Sequence, residues 1–177
     1  RIRETRIFRR DARRDGSEYR SQWLIVVDAP ASVRGIGLLV WARTAGDSDQ
    51  WLYLPAYRKT RRLGSMDQGE AFLGSEFTFD DLRERRVEDD THAFLRREKR
   101  DGEALAVIES APRTRIASYA SRRTWVDLRH WTTPRVEYVG AGGQPLKTLE
   151  ARWTEVAGVW LWQRLEMRDE QAGRRSI

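Results

Sequence analysis

The sequence contains no cysteine, so disulfides, thiolate nucleophiles and cysteine-bound zinc sites are excluded from its 177 residues. Histidine is nearly as scarce. His92 and His130 are far apart, and neither has a further histidine nearby, so a metal site or a histidine base is not predicted. No run of about 18 apolar residues occurs, which excludes a membrane-spanning helix from this stretch. These absences exclude thiolate and zinc–cysteine chemistry and point away from a histidine metal site, while the redox compartment cannot be inferred from disulfides.

The basic residues are almost all arginine. Lysine occurs at three positions, so 30 of the 33 basic residues are arginines, a bias that is also typical of a GC-rich genome. The net charge of +6 suits anionic partners such as phospholipid headgroups, nucleic acid or acidic glycans. Acidic residues are interleaved throughout, however, and a nucleic-acid surface would show clustered basic charge, so nucleic-acid binding is not predicted.

Short apolar strands separated by glycine turns dominate the chain. The length fits a single domain spanning residues 1–177, and strands at roughly ten-residue spacing predict an antiparallel meander. Asp15-Gly16 predicts a hairpin turn, and Thr78 predicts the N-cap of a short helix. Such a meander must curl into a sandwich, a barrel or a half barrel. The predicted strands cover residues 2–10, 19–28, 38–44, 51–54, 92–99, 104–109, 124–128, 135–139, 147–153 and 159–167.

The stretch from Trp51 to Leu63 combines an apolar strand, a break at Pro55 and a basic cluster at residues 58–62. The arginines of this cluster could contact phosphates at the mouth of a cavity, or they could be solvated side chains at a strand end. The following residues, 64–82, form the longest irregular segment and resemble a flap. The eight tryptophans could line a cavity, although tryptophans in antiparallel strands are more often core or cross-strand pairs.

No group of residues in the sequence predicts catalysis. Adjacent carboxylates such as Asp80-Asp81 would point to opposite faces of a strand, which is poor geometry for shared acid–base work. The serines lack a nucleophile-elbow context, and Gly35-Ile36-Gly37 lacks the third glycine of a phosphate loop. We therefore expect a protein that is not an enzyme, with no catalytic residue, cofactor or metal.

Several motifs together resemble the LolA-like family, specifically its outer membrane lipoprotein-sorting protein subgroup. They are Ala29–Leu39, Asp49-Gln50-Trp51-Leu52-Tyr53-Leu54-Pro55-Ala56, Phe72-Leu73-Gly74-Ser75-Glu76-Phe77, Asp80-Asp81-Leu82, Trp125-Val126-Asp127, Arg135-Val136-Glu137-Tyr138 and the strand Val159–Met167. The resemblance implies an α+β, mostly β fold: an incomplete (half) β-barrel with a few short helices covering its concave apolar side. It also implies an N-terminal helix and first strand, and a longer final strand, beyond residues 1–177.

The resemblance implies a periplasmic protein of a Gram-negative bacterium that carries or binds a lipid or a lipoprotein acyl chain, peripheral to membranes. A lipid anchor is compatible with it, and an inner-membrane exporter is a candidate partner. In this hypothesis the headgroup or partner patch is Arg58, Arg61 and Arg62, and the candidate apolar wall is Trp23, Ile25, Leu39, Trp41, Leu52, Leu54, Phe72 and Phe77. The alternative is a protein-interaction or sensor module that docks on an inner-membrane transporter or regulator.

Overall fold

The computed structural model describes residues 2–11, 18–113 and 119–177, which group into two compact units, Arg1–Glu84 and Arg85–Ile177. Strands account for 59% of the structure and helices for 9%, and the antiparallel sheets are not closed into a barrel. The predicted mostly β, antiparallel fold is therefore confirmed. The single domain over residues 1–177 stays a prediction.

The first unit contains a five-stranded antiparallel sheet in sequential order. Each strand pairs with the next along the chain, as in a meander of hairpins. The strands are β1 (Glu4–Asp11), β2 (Tyr19–Ala29), β3 (Gly37–Arg43), β4 (Asp49–Leu54) and β5 (Lys59–Leu63). A short 3-10 helix, Ala31–Val33, lies between β2 and β3. The predicted turn at Asp15-Gly16 lies outside the described residues.

The stretch from Trp51 to Leu63 contains two strands instead of one. A 3-10 helix, Pro55–Tyr57, ends β4 because proline fixes φ and offers no ladder donor. Arg58 then adopts a left-handed conformation (φ 48°), and β5 returns antiparallel to β4. The basic cluster thus lies on a separate edge strand, beside the apolar one.

The irregular segment of residues 64–82 covers one face of this sheet. It contains the 3-10 helices Ser65–Asp67 and Phe72–Gly74, and the predicted helix after Thr78 is instead a turn in which the Thr78 hydroxyl donates to Asp81 at 2.9 Å. Phe72 and Phe79 are buried, with ring centroids 5.8 Å apart. They complete the main core of the unit, whose sheet residues are Ile25, Val27, Leu38, Val40 and Leu63.

The second unit contains a seven-stranded antiparallel sheet, again in sequential order. Its strands are β6 (Asp90–Arg100), β7 (Glu103–Pro112), β8 (Ser121–Asp127), β9 (Arg135–Val139), β10 (Pro145–Val156), β11 (Val159–Asp169) and β12 (Arg175–Ser176), preceded by a 3-10 helix, Val87–Asp89. The predicted β6–β7 hairpin is confirmed, and its turn residues Asp101 and Gly102 both have positive φ. Leu105, Val107 and Trp125 form a buried cluster on this sheet.

Candidate functional site: an apolar groove on the first sheet

The strand register of the first sheet assigns its side chains to two faces, because residues directly opposite each other in a ladder share a face. Leu24 pairs with Leu39, and Leu39 pairs with Trp51. The neighbouring row joins Val26, Gly37 and Tyr53. All these side chains lie on the face opposite to the one that packs on the 64–82 segment.

This open face contains an apolar groove with a cavity volume of about 530 Å³. Its walls are mostly apolar side chains, whereas the solvent-facing side of a sheet usually carries polar ones. Thr60 contributes the aliphatic hydroxyl among the lining residues. The lining residues are Leu24, Val26, Gly35, Gly37, Leu39, Trp41, Trp51, Tyr53 and Thr60. Ligand-binding cavities in proteins are typically about 300–1,000 Å³ and mostly apolar, so both size and lining suit a small hydrophobic ligand.

Two glycines form part of the groove. A Cβ on Gly37 would lie 3.8 Å from Tyr53 Cβ and 3.9 Å from Leu24 Cδ1, so a larger side chain there would grow into the groove. Gly35 has φ 79°, in the left-handed region that favours glycine, and lies against Pro55. Because these two glycines have no side chains, the groove is deeper at their positions.

Aromatic rings contact one another along the groove, where Trp41 and Trp51 are lining residues. Trp41 and Trp51 meet edge to face with centroids 5.3 Å apart, and Tyr19 meets Trp41 at 4.9 Å. Edge-to-face pairs of this kind are favourable and orientationally specific. Trp41 and Trp51 thus contact each other across strands and also line a cavity, whereas Trp23 packs against the core on the other face.

A buried carboxylate organises the charges beside these aromatic rings. Asp49 accepts hydrogen bonds from Arg43 Nε at 2.8 Å and from Arg62. Burial raises the pKa of Asp49, but the hydrogen bonds from Arg62 and Arg43 outweigh it, and the pKa is lowered from its ordinary value. The guanidinium of Arg43 also lies 5.0 Å from the Tyr19 ring. Asp49 therefore stays ionised and orients two cations beside the groove.

The predicted wall residues fall on both faces of the sheet. Leu39 and Trp41 line the groove. Ile25 and Phe72 are buried in the core on the other face, and Trp23 and Leu52 pack against that core. Leu54 follows Leu52 by two positions and is half-buried, while Phe77 is half-buried in the 64–82 segment, where its carbonyl accepts from Phe72 N at 2.7 Å.

The three predicted rim arginines are likewise separated. Arg62 pairs with Trp51 across β4 and β5, so it lies on the groove face, and its side chain is 67% exposed. Arg61 lies on the other face, bonded to Asp67 and 3.9 Å from Glu70. Arg58 is exposed at the β4–β5 turn, and no carboxylate within the described ranges forms an ion pair with it.

The sequence predicted two of the nine lining residues and missed the other seven, which are Leu24, Val26, Gly35, Gly37, Trp51, Tyr53 and Thr60. The two-residue alternation of β2 separates Leu24 and Val26 from Trp23 and Ile25, and that signal was present. Both sets are apolar, however, so the alternation alone does not say which one packs on the core. Ile25 belongs to the core because Phe72 and Phe79 pack on its face of the sheet. These phenylalanines lie in the 64–82 segment, which has no hydrophobic periodicity.

The described residues contain no cluster of three or more His, Asp or Glu side chains arranged to hold a metal ion. His92 lies between Ser110 Oγ and the Val87 carbonyl, both at 2.8 Å, and His130 contacts Asp127 at 2.8 Å. A second cavity of about 310 Å³ on the second sheet has a charged lining in which Arg135 pairs with Glu137 at 2.7 Å. None of the helices in the described ranges is long and apolar enough to cross a membrane.

Comparisons with known proteins concern nearly the whole chain. A family model described as "-like: Uncharacterized protein" matches residues 20–177. No curated protein matches the sequence. Among solved structures, an outer membrane lipoprotein-sorting protein domain from Vibrio parahaemolyticus is 28% identical with a TM-score of 0.87, and the match covers 98% of this chain and 73% of that one.

Two further structures share the fold. A DUF1329 family protein from Desulfovibrio piger is 24% identical with a TM-score of 0.85, over 97% of this chain and 72% of that one. A LolA superfamily protein from Nitrosomonas europaea is 23% identical with a TM-score of 0.62, over 87% and 67%. The sheets described above thus have the architecture of lipoprotein-sorting and LolA-type proteins.

Proposed function

We propose that this chain, which belongs to the family whose model matches residues 20–177 and is LolA-like in fold, is a carrier or binding protein for a lipid or a lipoprotein acyl chain. In this proposal the apolar groove holds the acyl chain of the cargo, and no catalytic step is involved. The observation that carries the proposal is the groove itself: Leu24, Leu39 and Trp51 stay open while the opposite face of the same sheet is packed.

The physical basis is burial of methylene groups. Each methylene that leaves water for an apolar wall contributes about 0.8 kcal/mol, so a partly buried acyl chain is retained without any covalent bond. A carrier must also release its cargo, which an open groove permits more readily than an enclosed cavity. The lining satisfies both demands because it is apolar and accessible from one side.

Arg62 is the best-placed contact for an anionic headgroup. It lies on the groove face beside Trp51, and Asp49 already orients its guanidinium. A phosphate or carboxylate at this end would share the cation with Asp49 through charge-assisted hydrogen bonds. Arg58, at the opposite end of β5, is a second cation that a headgroup can reach.

The cellular setting is part of the same proposal. The match to the lipoprotein-sorting domain from Vibrio parahaemolyticus covers 98% of the present chain. This similarity supports a periplasmic protein of a Gram-negative bacterium that works next to membranes. An inner-membrane exporter is the candidate donor of cargo, and we do not expect a nucleic-acid partner.

Native mass spectrometry after gentle purification, with and without added phospholipid, tests the carrier function. We expect adducts of lipid mass on the wild-type chain and on Met66→Glu, because Met66 is 93% exposed and outside the groove. Leu24→Glu, a change at the exposed edge of the groove, should lose the adducts while remaining folded. Loss of adducts from both variants alike, or a folded wild-type chain that never takes up lipid, would contradict the proposal.

A second candidate is a docking or sensor module, favoured by the turn between β4 and β5. Tyr57 is 72% exposed there, next to the exposed Arg58. Replacing both, by Tyr57→Ala and Arg58→Gln, should abolish capture of an inner-membrane partner and leave lipid uptake unchanged. If lipid uptake falls with partner capture, the turn belongs to the lipid site.

A further inference from the structure

The tip of the β10–β11 hairpin in the second unit exposes a dense group of apolar side chains. With a tryptophan from the neighbouring 128–134 loop, they form what we call the tip cluster: Trp131, Val156, Val159, Trp160, Leu161 and Trp162. Trp131 is 75% exposed and Val159 57% exposed. Isolated exposed apolar residues need no explanation, but a contiguous group of this kind marks an interaction site.

The hairpin is built tightly at its end. Ala157 and Gly158 have φ 51° and 79°, the pair of positive values that a two-residue type I′ turn requires. Val156 pairs with Val159 and, three pairs further from the turn, Trp153 pairs with Trp162, with ring centroids 5.7 Å apart; a bulge separates this pair from Arg152 and Arg164. Alternation along β11 puts Leu161 on one face and Trp160 and Trp162 on the other, so the tip is apolar on both faces.

Hydrogen bonds hold the 128–134 loop against the hairpin. Asp127 is buried, accepts from Arg129 N and contacts His130 Nδ1, both at 2.8 Å. The His130 ring lies 4.5 Å from Trp160, and Trp153 Nε1 donates to the Thr133 carbonyl at 3.0 Å. Trp131 is therefore presented to solvent by a fixed loop, in which its backbone N donates to Asp127 O at 3.0 Å.

Cations border the tip cluster. Arg129 and Arg152 are exposed, and neither forms an ion pair within the part of the chain that the structure describes. Arg152 lies directly opposite Arg164, which bonds to Glu166 at 3.0 Å. One acidic residue, Glu155, is also exposed near the turn. Exposed arginines beside exposed tryptophans suit an apolar medium that is bounded by negative charge.

We propose that the tip cluster inserts into the interfacial region of a lipid bilayer with anionic headgroups. The hairpin tip is apolar on both faces, and this favours a membrane over a protein as its partner. A flat protein partner covers one face of a hairpin, whereas a fluid lipid interface surrounds both. Tryptophan, with an apolar ring and one N–H donor, is the side chain that membrane interfaces favour. Arg129 and Arg152 contact the phosphates, since basic residues near an anionic surface strengthen membrane binding.

Sedimentation with vesicles of phosphatidylcholine containing about a quarter phosphatidylglycerol tests the proposal. The full chain should bind these vesicles, and Val159→Glu and Trp131→Glu should each lower the partition coefficient roughly tenfold, the value of one lost apolar side chain. Phe94→Glu is the matched control, because Phe94 is an equally exposed apolar residue of the same unit (63%) on β6. Its binding should equal that of the wild type.

Two further comparisons make the result decisive. Arg129→Gln together with Arg152→Gln should reduce binding to the anionic vesicles and leave binding to pure phosphatidylcholine unchanged. The groove variant Leu24→Glu should bind vesicles normally, which separates this surface from the carrier function. The proposal would be overturned if the wild-type chain did not bind vesicles, or if Phe94→Glu lowered the partition coefficient as much as Val159→Glu. Tip-dependent dimerisation without vesicle binding would also overturn it.

Discussion

Asp49 connects the fold of the first unit to the charges at its groove. It is buried, it bonds Arg43 and Arg62, and its pKa is lowered by those bonds despite the opposing effect of burial. Replacing it by Asn removes the charge but keeps the shape. Arg62 then loses its carboxylate partner and Arg43 keeps only the carboxylate of Glu18, at 3.1 Å, which should lower the free energy of unfolding by about 2 kcal/mol at pH 7.

The pH dependence of this loss has a definite sign. Because the pKa of Asp49 is lower in the folded state than its unfolded value of about 3.9, its contribution is fully present above that pH. It is lost as the pH falls through the folded pKa. Urea denaturation of the wild type and Asp49→Asn should therefore show a stability difference at pH 7 that shrinks toward pH 3. Asp47→Asn, at a side chain 94% exposed, is the control and should change stability by less than about 0.5 kcal/mol. A pH-independent difference at Asp49 would contradict the assignment.

Gly37 controls the depth of the groove. A Cβ there meets its neighbours at ordinary contact distances, so Gly37→Val should fold while its methyl groups occupy the floor. We expect fatty-acid affinity to fall roughly tenfold, as expected of overpacking by 1–2 kcal/mol. Displacement of a fluorescent fatty acid measures the change, and Gly64→Ala, outside the groove, is the control. Unaltered affinity in a folded Gly37→Val protein would place the ligand elsewhere.

At the level of elements, the 64–82 segment is a structural cover of the first sheet. Phe79 is buried among sheet residues, and its carbonyl accepts from Gln50 Nε2 at 3.1 Å. Phe79→Ala should lower the free energy of unfolding by about 3 kcal/mol because it leaves a cavity. Phe8→Ala, on the open face, should cost less than about 1 kcal/mol. Equal losses in urea denaturation would contradict the assignment of a packed and an open face.

Ten of the twelve described strands and their antiparallel order followed from the sequence, but β5, β12 and the use of the two faces did not. Alternation and glycine turns predicted the β6–β7 hairpin, because a polar turn fixes the register of two adjacent strands. In β2 and β3 both faces are apolar, so the sequence does not show whether Ile25 or Leu24 faces the core. In the structure Phe72 and Phe79 pack on the Ile25 face. Long-range packing by an aperiodic segment leaves no local signal in the sequence.

Pro55 gave a correct signal for the end of a strand but none for the strand that follows, and the basic cluster gave no signal of how its arginines divide between two faces. Pro55 indicated the end of a strand, yet the return of the chain as β5 depends on a left-handed arginine at position 58, which no local preference favours. The basic cluster was read as one patch. In the edge strand, alternation sends Arg61 to Asp67 and Arg62 to Asp49, on opposite faces.

At the scale of the whole molecule, we propose that residues 1–177 unfold as a single domain although they form two compact units. Phe79→Ala weakens the first unit directly. Under this proposal, hydrogen exchange measured by mass spectrometry should show protection lost to a similar extent in peptides from residues 1–84 and from residues 85–177. Loss confined to residues 1–84 would establish two independent domains.

The central claim is that the open face of the first sheet holds an acyl chain. Photo-crosslinking with a fatty acid that carries a diazirine near its methyl end, followed by peptide mapping, tests it most directly. The labelled residues should come from the groove, at Leu24, Leu39, Trp51 or Tyr53, and excess unlabelled fatty acid should suppress them. Labels on the second unit alone, or labels that excess fatty acid does not suppress, would contradict the claim.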